Sequence, residues 1–488
     1  MSTVEEGTPP DLDTVSVPGA QLTGRQRLAL VLLLTASFTL AVDFSILNVT
    51  LPTIGADVGF TLQNLQWIAT AFALCAAGFT LLFGRVADLF GRRRLFLTGM
   101  ALLGVASLVG GISTSPAMLL SARVAQGLAT AAVTPAALSL LTTSFPEGRL
   151  REKALGLNGA LMAAGFTTGA ILGGVLTDLL SWRWAFFINV PVAVGVLVLA
   201  PMALSESRPA ERPKLDVPGA VSVTLGLLAV VFGLTRAGET SWTDSAALGS
   251  LVAGVVLLAV FWVVEQKVAA PLVPVAILRR ANVGWGNFAG LLAFVTETSL
   301  VFLLTLYLQK TLGFTPLAAG LSFAVLGAGT VIGGMIAPRV IGRAGAKSAI
   351  VIGFLLQAIA TLSLVLLGQD PAWMTLLLVA TFVGGVANLI AIVGFMVTAT
   401  TGLPDAEQGL ATGLATMSQQ VGITMGIPIM SAIATARVNS LGGENPATVL
   451  SGITTAIWVN TGLCLIAAAL VAVFLRRGRS TSAAATIH

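Results

Sequence analysis

GRVADLFGRRR, residues 84–94, is a short charged loop set between two apolar stretches, each long enough to cross a lipid bilayer. It places Asp88 and the run Arg92, Arg93 and Arg94 at a membrane face, while Gly84 and Gly91 permit a tight turn and close helix approach. A loop this basic is expected on the cytoplasmic side. On either side of it the chain is oil-like: 56% of its 488 residues are hydrophobic, 10% are charged and the mean hydropathy is +0.94. A soluble domain carries roughly 25% charged residues, so the composition is that of a polytopic membrane protein. The net charge of +5 then reflects the positive-inside bias and acidic lipid headgroups, and nucleic acid is not an expected partner.

About 20 apolar residues per span place helices near 28–52, 63–84, 95–113, 117–142, 153–177, 184–204, 216–236, 244–265, 283–309, 316–337, 347–368, 372–399, 408–435 and 451–475. The expectation is an all-α fold with fourteen spans. Of the 26 Lys and Arg residues, all but Arg123, Arg183, Arg236, Lys310 and Arg437 fall on one side of these spans, which puts both termini in the cytoplasm. The segment 205–281 opens on a Pro- and Arg-containing linker and encloses two spans, so it is expected to be an insert between two six-helix halves, 28–204 and 282–475. Residues 1–27 and 476–488 are expected to be cytosolic tails. The first carries Glu5, Glu6, Asp11 and Asp13 with no basic n-region, unlike a signal peptide. The loop PRVIGRAGAK, residues 338–347, holds the place in the second half that 84–94 holds in the first, without a counterpart to Asp88.

The rest of the composition excludes chemistry. Cys75 and Cys464 both lie in apolar spans and His488 is the one histidine, which removes a disulfide framework, a thiolate or imidazole metal site and a histidine proton relay. There is no G-x-x-x-x-G-K-[ST] phosphate loop. Neither an enzyme nor an ATP-driven pump is expected, no cofactor or metal is implied, and an ion gradient is the expected energy source.

Three ionisable residues lie deep in the spans: Asp43, Arg123 and Glu297. Each costs roughly 2.5–3.5 kcal/mol there on insertion scales and needs a partner, water or neutralisation. At about 1.5 Å per residue, Asp43 and Glu297 lie about 22 and 21 Å from the cytoplasmic ends of their helices, and Arg123 about 9 Å in from the other side. In a core of roughly 30 Å the three share one depth, and a common polar layer in a central cavity is expected. Asp43 is expected to pair with Arg123 and stay ionised. Glu297 has no basic partner in its own helix and is expected to gain and lose a proton in exchange for a cationic or polar substrate. The alternatives are a purely structural ion pair and a protonated, hydrogen-bonded Glu297.

Several motifs together resemble the major facilitator superfamily, and specifically its fourteen-helix drug:proton antiporters. Residues 84–95 fit that superfamily's G-x-x-x-D-x-x-G-R-[KR] loop, and LLSARVAQGLATA, residues 119–131, fits its fourth-helix R-x-x-Q-G pattern through Arg123, Gln126 and Gly127. VDFSILNVTLP (42–52), SWRWAFFINVP (181–191) and YLQKTLGFTPLAAG (307–320) are similar to further segments of the group. One departure stands out: Gly165, Gly169, Gly173 and Gly174 keep the small-residue face of the fifth-helix antiporter motif, but Ala170 replaces its proline.

The resemblance implies two six-helix bundles plus two additional central helices, and a proton-coupled exporter of drugs or antibiotics that works by alternating access in the bacterial inner membrane. It also implies a monomer whose partners are a lipophilic small molecule, protons and membrane lipids. Gly84, Asp88, Gly91, Arg92 and Arg93 would form a conformational latch, with Asp88 near the helix that follows residues 404–408. Asn48, Gln126, Asn287, Asn388, Gln419 and Gln420 are candidates to line a cavity, with Phe294, Met396, Met417 and Met425 as adaptable apolar walls. Polar residues in spans also tie helices together. The runner-up function is export of one endogenous metabolite or self-made antibiotic, and a passive channel ranks below it.

Overall fold

The computed structural model describes residues 22–145, 149–206, 216–268, 271–272, 275–400 and 405–475. They form α1 (Gly24–Val58), α2 (Trp67–Phe90), α3 (Arg92–Gly111), α4 (Pro116–Ser144), α5 (Arg149–Leu179), α6 (Asn189–Ala203, preceded by the turn Trp184–Phe187), α7 (Val217–Glu239), α8 (Ser245–Lys267), α9 (Ala281–Leu306), α10 (Pro316–Ala344), α11 (Ala346–Ser363), α12 (Met374–Thr400), α13 (Asp405–Ser440) and α14 (Pro446–Phe474). Among the described residues twelve helices are long and apolar enough to cross a membrane. In α2 and α5 the searched apolar runs, Trp67–Thr80 and Ala164–Leu179, are shorter.

Helix boundaries follow local chemistry. Ser115, Thr315 and Asn445 each cap a helix whose first residue is proline, where the missing N–H costs nothing and φ is already helical. The expected stop of the first span at Pro52 is corrected: α1 runs through it to Val58 and ends on Gly59 at φ 95°. The apolar register continues past the proline, with Ile54, Gly55 and Val58 still buried, and packing outweighs one lost backbone bond.

Helix pairing repeats. In the first set α1 packs on α5, α2 on α4, α3 on α4 and α6, and α1 on α6; in the second set α9 packs on α13, α10 on α12, α11 on α12 and α14, and α9 on α14. The two sets meet closely along α5 and α10. A Cβ on Gly320 would lie 2.8 Å from the Ala170 carbonyl, and one on Gly174 would strike the Pro316 carbonyl, so glycine is what lets these backbones approach. On another flank α7 packs on both α2 and α13. Thr224 Oγ1 donates to the Gly78 carbonyl at 2.6 Å, and Val223 and Leu227 join Leu82 and Leu414 in one apolar cluster. Outward faces stay apolar, as with Val255, Ile359 and Val473, more than 60% exposed, a surface suited to lipid rather than water.

Candidate functional site

The buried Asp43 and Arg123 of the first set are gathered into one closed knot. α1 supplies Asp43, α3 Ser107, α4 Arg123 and Gln126, and α6 Asn189. Arg123 Nη1 lies 3.3 Å from Asp43 Oδ2 and donates to Gln126 Oε1 at 2.8 Å, while Nε donates to the Ile68 carbonyl at 2.9 Å. Its guanidinium carbon sits 4.2 Å from the centre of the Phe72 ring. Gln126 Nε2 donates to Asp43 Oδ1 at 3.0 Å and to Ser107 Oγ at 2.9 Å. Asn189 Nδ2 donates to the same carboxylate and to Ser107 Oγ. Asp43 and Arg123 are each 1% exposed. Four helices thus surround an ion pair whose charge is cancelled and whose hydrogen bonds are largely supplied within the knot.

A second knot occupies the corresponding helices of the second set, and it is neutral. Gln357 of α11 donates to Thr296 Oγ1 of α9 at 3.1 Å. Asn388 of α12 donates to Gln357 Oε1 at 3.3 Å and to the Ala293 carbonyl at 3.1 Å. Asn460 of α14 donates to the Thr296 carbonyl and to Ser299 Oγ, both at 3.0 Å. All of these side chains are buried.

Glu297 stands next to the neutral knot in sequence but outside it. It is half-buried, and among the described residues its side chain has no hydrogen bond or ion pair. Phe294, one turn away on α9, packs with Phe44 and Phe72 of the first set and Phe395 of the second. Of the three residues expected in one polar layer, Asp43 and Arg123 share a network and Glu297 stands outside it. Asp43 and Arg123 are sealed inside the first set, because Gln126, Asn189 and Ser107 converge on them from three helices, and Glu297 takes no part in that network.

Of the remaining candidates, Gln126 belongs to the charged knot and Asn388 to the neutral one. Asn287 ties α9 to α13 by accepting from Ser418 Oγ at 3.0 Å, and Asn48 is buried with its Oδ1 unpartnered. Both side chains are buried in this conformation. Phe294 and Met396 fall in the aromatic cluster between the two sets, and Met417 in the cluster beside α7. The glycines split: Gly165, Gly169 and Gly173 lie against α1 backbone, and Gly174 against α10.

In the charged loop, Gly91 turns the chain at φ 109° and α3 starts at Arg92. The Arg93 N–H donates to Glu206 Oε1 at 3.1 Å, Arg93 Nη1 donates to the Leu204 carbonyl at 3.1 Å, and Arg94 Nε lies 3.8 Å from Glu206 Oε2. Gly91 also clears space for that carboxylate, which a Cβ would meet. The Asp88 side chain and residues 401–404 lie outside the described residues, as do the side chains 405–410. Sequence reading missed Glu206, Ser107, Asn189, Gln357 and Asn460. The available signal was a lone amide in an apolar span, as in IGFLLQAIA and AIWVNTGLC, and a carboxylate after the sixth span.

Comparison with known proteins bears on this geometry. Residues 33–427 match the family description Major Facilitator Superfamily. The chain is similar to the cephamycin export protein CmcT of Amycolatopsis lactamdurans, 38% identical over 431 residues that cover 85% of this chain and 87% of the relative. It is 34% identical over 481 residues to the puromycin resistance protein pur8 of Streptomyces alboniger, covering 96% and 95% of the two chains. Among solved structures, the nucleoside transporter NupG superposes with a TM-score of 0.63 at 12% identity, over 92% of this chain and all of the other, which is a likeness of fold.

Proposed function

The chain belongs to the Major Facilitator Superfamily, a family of transporters rather than enzymes, and from that premise we propose that this multi-pass membrane protein is a proton-coupled exporter of small-molecule antibiotics or drugs working by alternating access. All fourteen long helices cross the membrane in this reading. α1–α6 and α9–α14 are the two moving halves, α7 and α8 are the insert, and both termini are cytoplasmic. The carrying observation is the isolation of Glu297: it is the one deep ionisable residue of the three without a partner, while Asp43 is neutralised by Arg123. A lone carboxyl in the membrane interior favours proton binding when its surroundings close, and water or a cationic substrate favours its release. Proton and substrate then alternate at one group beside the aromatic contact between the halves. Asp43 serves to hold α1, α3, α4 and α6 together.

Two relatives named for cephamycin and puromycin support a narrower version, in which the chain exports one self-made antibiotic. A panel of antibiotics and toxic cations, tested on a sensitive bacterium expressing the chain with and without an uncoupler, separates the two. Resistance to many unrelated compounds supports the broad reading and resistance to one supports the narrow one; resistance that survives the uncoupler refutes proton coupling. In liposomes, Glu297→Gln is expected to abolish substrate-driven proton movement and leave substrate counterflow.

A further inference from the structure

The neutral knot holds α9 by its main chain as well as its side chains. Asn388 and Asn460 donate to the Ala293 and Thr296 carbonyls, which also accept from the Thr296 and Ser299 hydroxyls of α9 itself. The hydroxyls of this stretch turn inward on their own helix: Thr296 to the Leu292 carbonyl at 2.9 Å, Thr298 to Phe294 at 2.7 Å and Ser299 to Val295 at 2.6 Å. Their protons are committed, so none is free for Glu297. At about 100° of turn per residue, Ala293, Thr296 and Ser299 share one arc of α9, Glu297 stands about 40° beyond its edge, and Phe294 about 60° further on. A small roll of α9 in one direction would carry the carboxyl toward the amides, and in the other toward the aromatic contact.

We propose that Gln357, Asn388 and Asn460 are positioning residues for Glu297: their three-helix grip fixes the roll of α9 so that the carboxyl stays beyond reach of the amides and beside Phe294. Its relevance to transport rests on the reading of Glu297 as proton carrier. Few other charges face that level. Of the helices packed on α9, α12 has no charged residue, and α14 has none but offers Cys464, which lies against Asn460. α1 presents Asp43, bound to Arg123, and α13 carries Asp405, Glu407 and Arg437 toward its two ends.

Carbodiimide modification of Glu297 in the full chain in liposomes, read by mass spectrometry across pH, reports its surroundings without requiring transport. Gln357→Leu and Asn460→Leu are expected to change the labelling rate about threefold, the factor equivalent to one typical interhelical hydrogen bond. The midpoint of the labelling profile is expected to move by about half a pH unit, the same free energy expressed as protonation. Thr455→Val, whose hydroxyl donates to the Ser451 carbonyl of its own helix, is expected to leave both unchanged. Should Asn460→Leu fail to fold, Asn460→Ser removes the two amide donations with less disturbance. Labelling that matches the parent while thermal stability falls would overturn the positioning role. Proton exchange that persists in Glu297→Gln would instead overturn the coupling reading, and labelling would still judge the grip.

Discussion

The two buried knots sit on corresponding helices, one on α1, α3, α4 and α6 and the other on α9, α11, α12 and α14, yet one is built around a full ion pair and the other only from amides and hydroxyls. Both fasten four helices where lipid offers no hydrogen bonds and apolar contact alone gives little direction. They differ in what failure costs. Removing one member of an ion pair strands a charge, whereas removing one amide strands a neutral group or none. The difference also leaves the first set with no uncommitted deep charge among those three, and the second with one, Glu297.

Breaking the charged knot is expected to have the largest effect. Arg123→Leu leaves Asp43 buried without its cation and is expected to cost about 3–5 kcal/mol, read as loss of folded protein in thermal unfolding. Combining it with Asp43→Leu should regain most of that stability, because an apolar pair of suitable volume replaces a buried ion pair at little net cost. If the double variant stays as unstable as the single, the knot does more than cancel charge. Next in size is the contact between the sets. Gly174→Leu and Gly320→Leu drive a side chain into facing backbone and are expected to cost about 1–3 kcal/mol and to depress efflux, measured by drug accumulation in cells. Efflux at the parent level would show that the α5–α10 approach is not needed.

Asn460→Leu in the neutral knot should lower stability by only about 0.6–1.7 kcal/mol, and a loss as large as that from Arg123→Leu would erase the contrast between the two regions. Smallest of all, Glu206→Gln is expected to cost at most about 1 kcal/mol, since the carboxylate sits at the exposed start of α3 and its pair with Arg94 is screened by water. The thermal unfolding midpoint of that variant should therefore shift least among these substitutions, and a shift as large as that of Asn460→Leu would make the loop contact a structural anchor.

Asp43 and Arg123 were legible because a charge in an apolar span is rare and must be answered by a partner. Their supporting cast was not. Asn189 meets Asp43 across 146 positions of chain and Ser107 across 82, and nothing in an isolated amide says which distant helix it faces. Equal depth made Glu297 look like a third member of the same layer. Depth is set by spacing along one helix, whereas membership of a network is set by the direction in which each helix turns its side chains. The loop 84–94 was legible as a charged turn, but its tie to Glu206 was not, because that carboxylate follows four intervening helices.

The sequence by itself determined that the chain is a multi-pass membrane protein, roughly where its long helices fall, and which three ionisable groups lie within apolar stretches, because hydropathy and spacing act along a single helix. Only the tertiary structure decided that two of those groups cancel each other and the third stands apart, because pairing depends on the rotation and contact of helices that are remote in the chain.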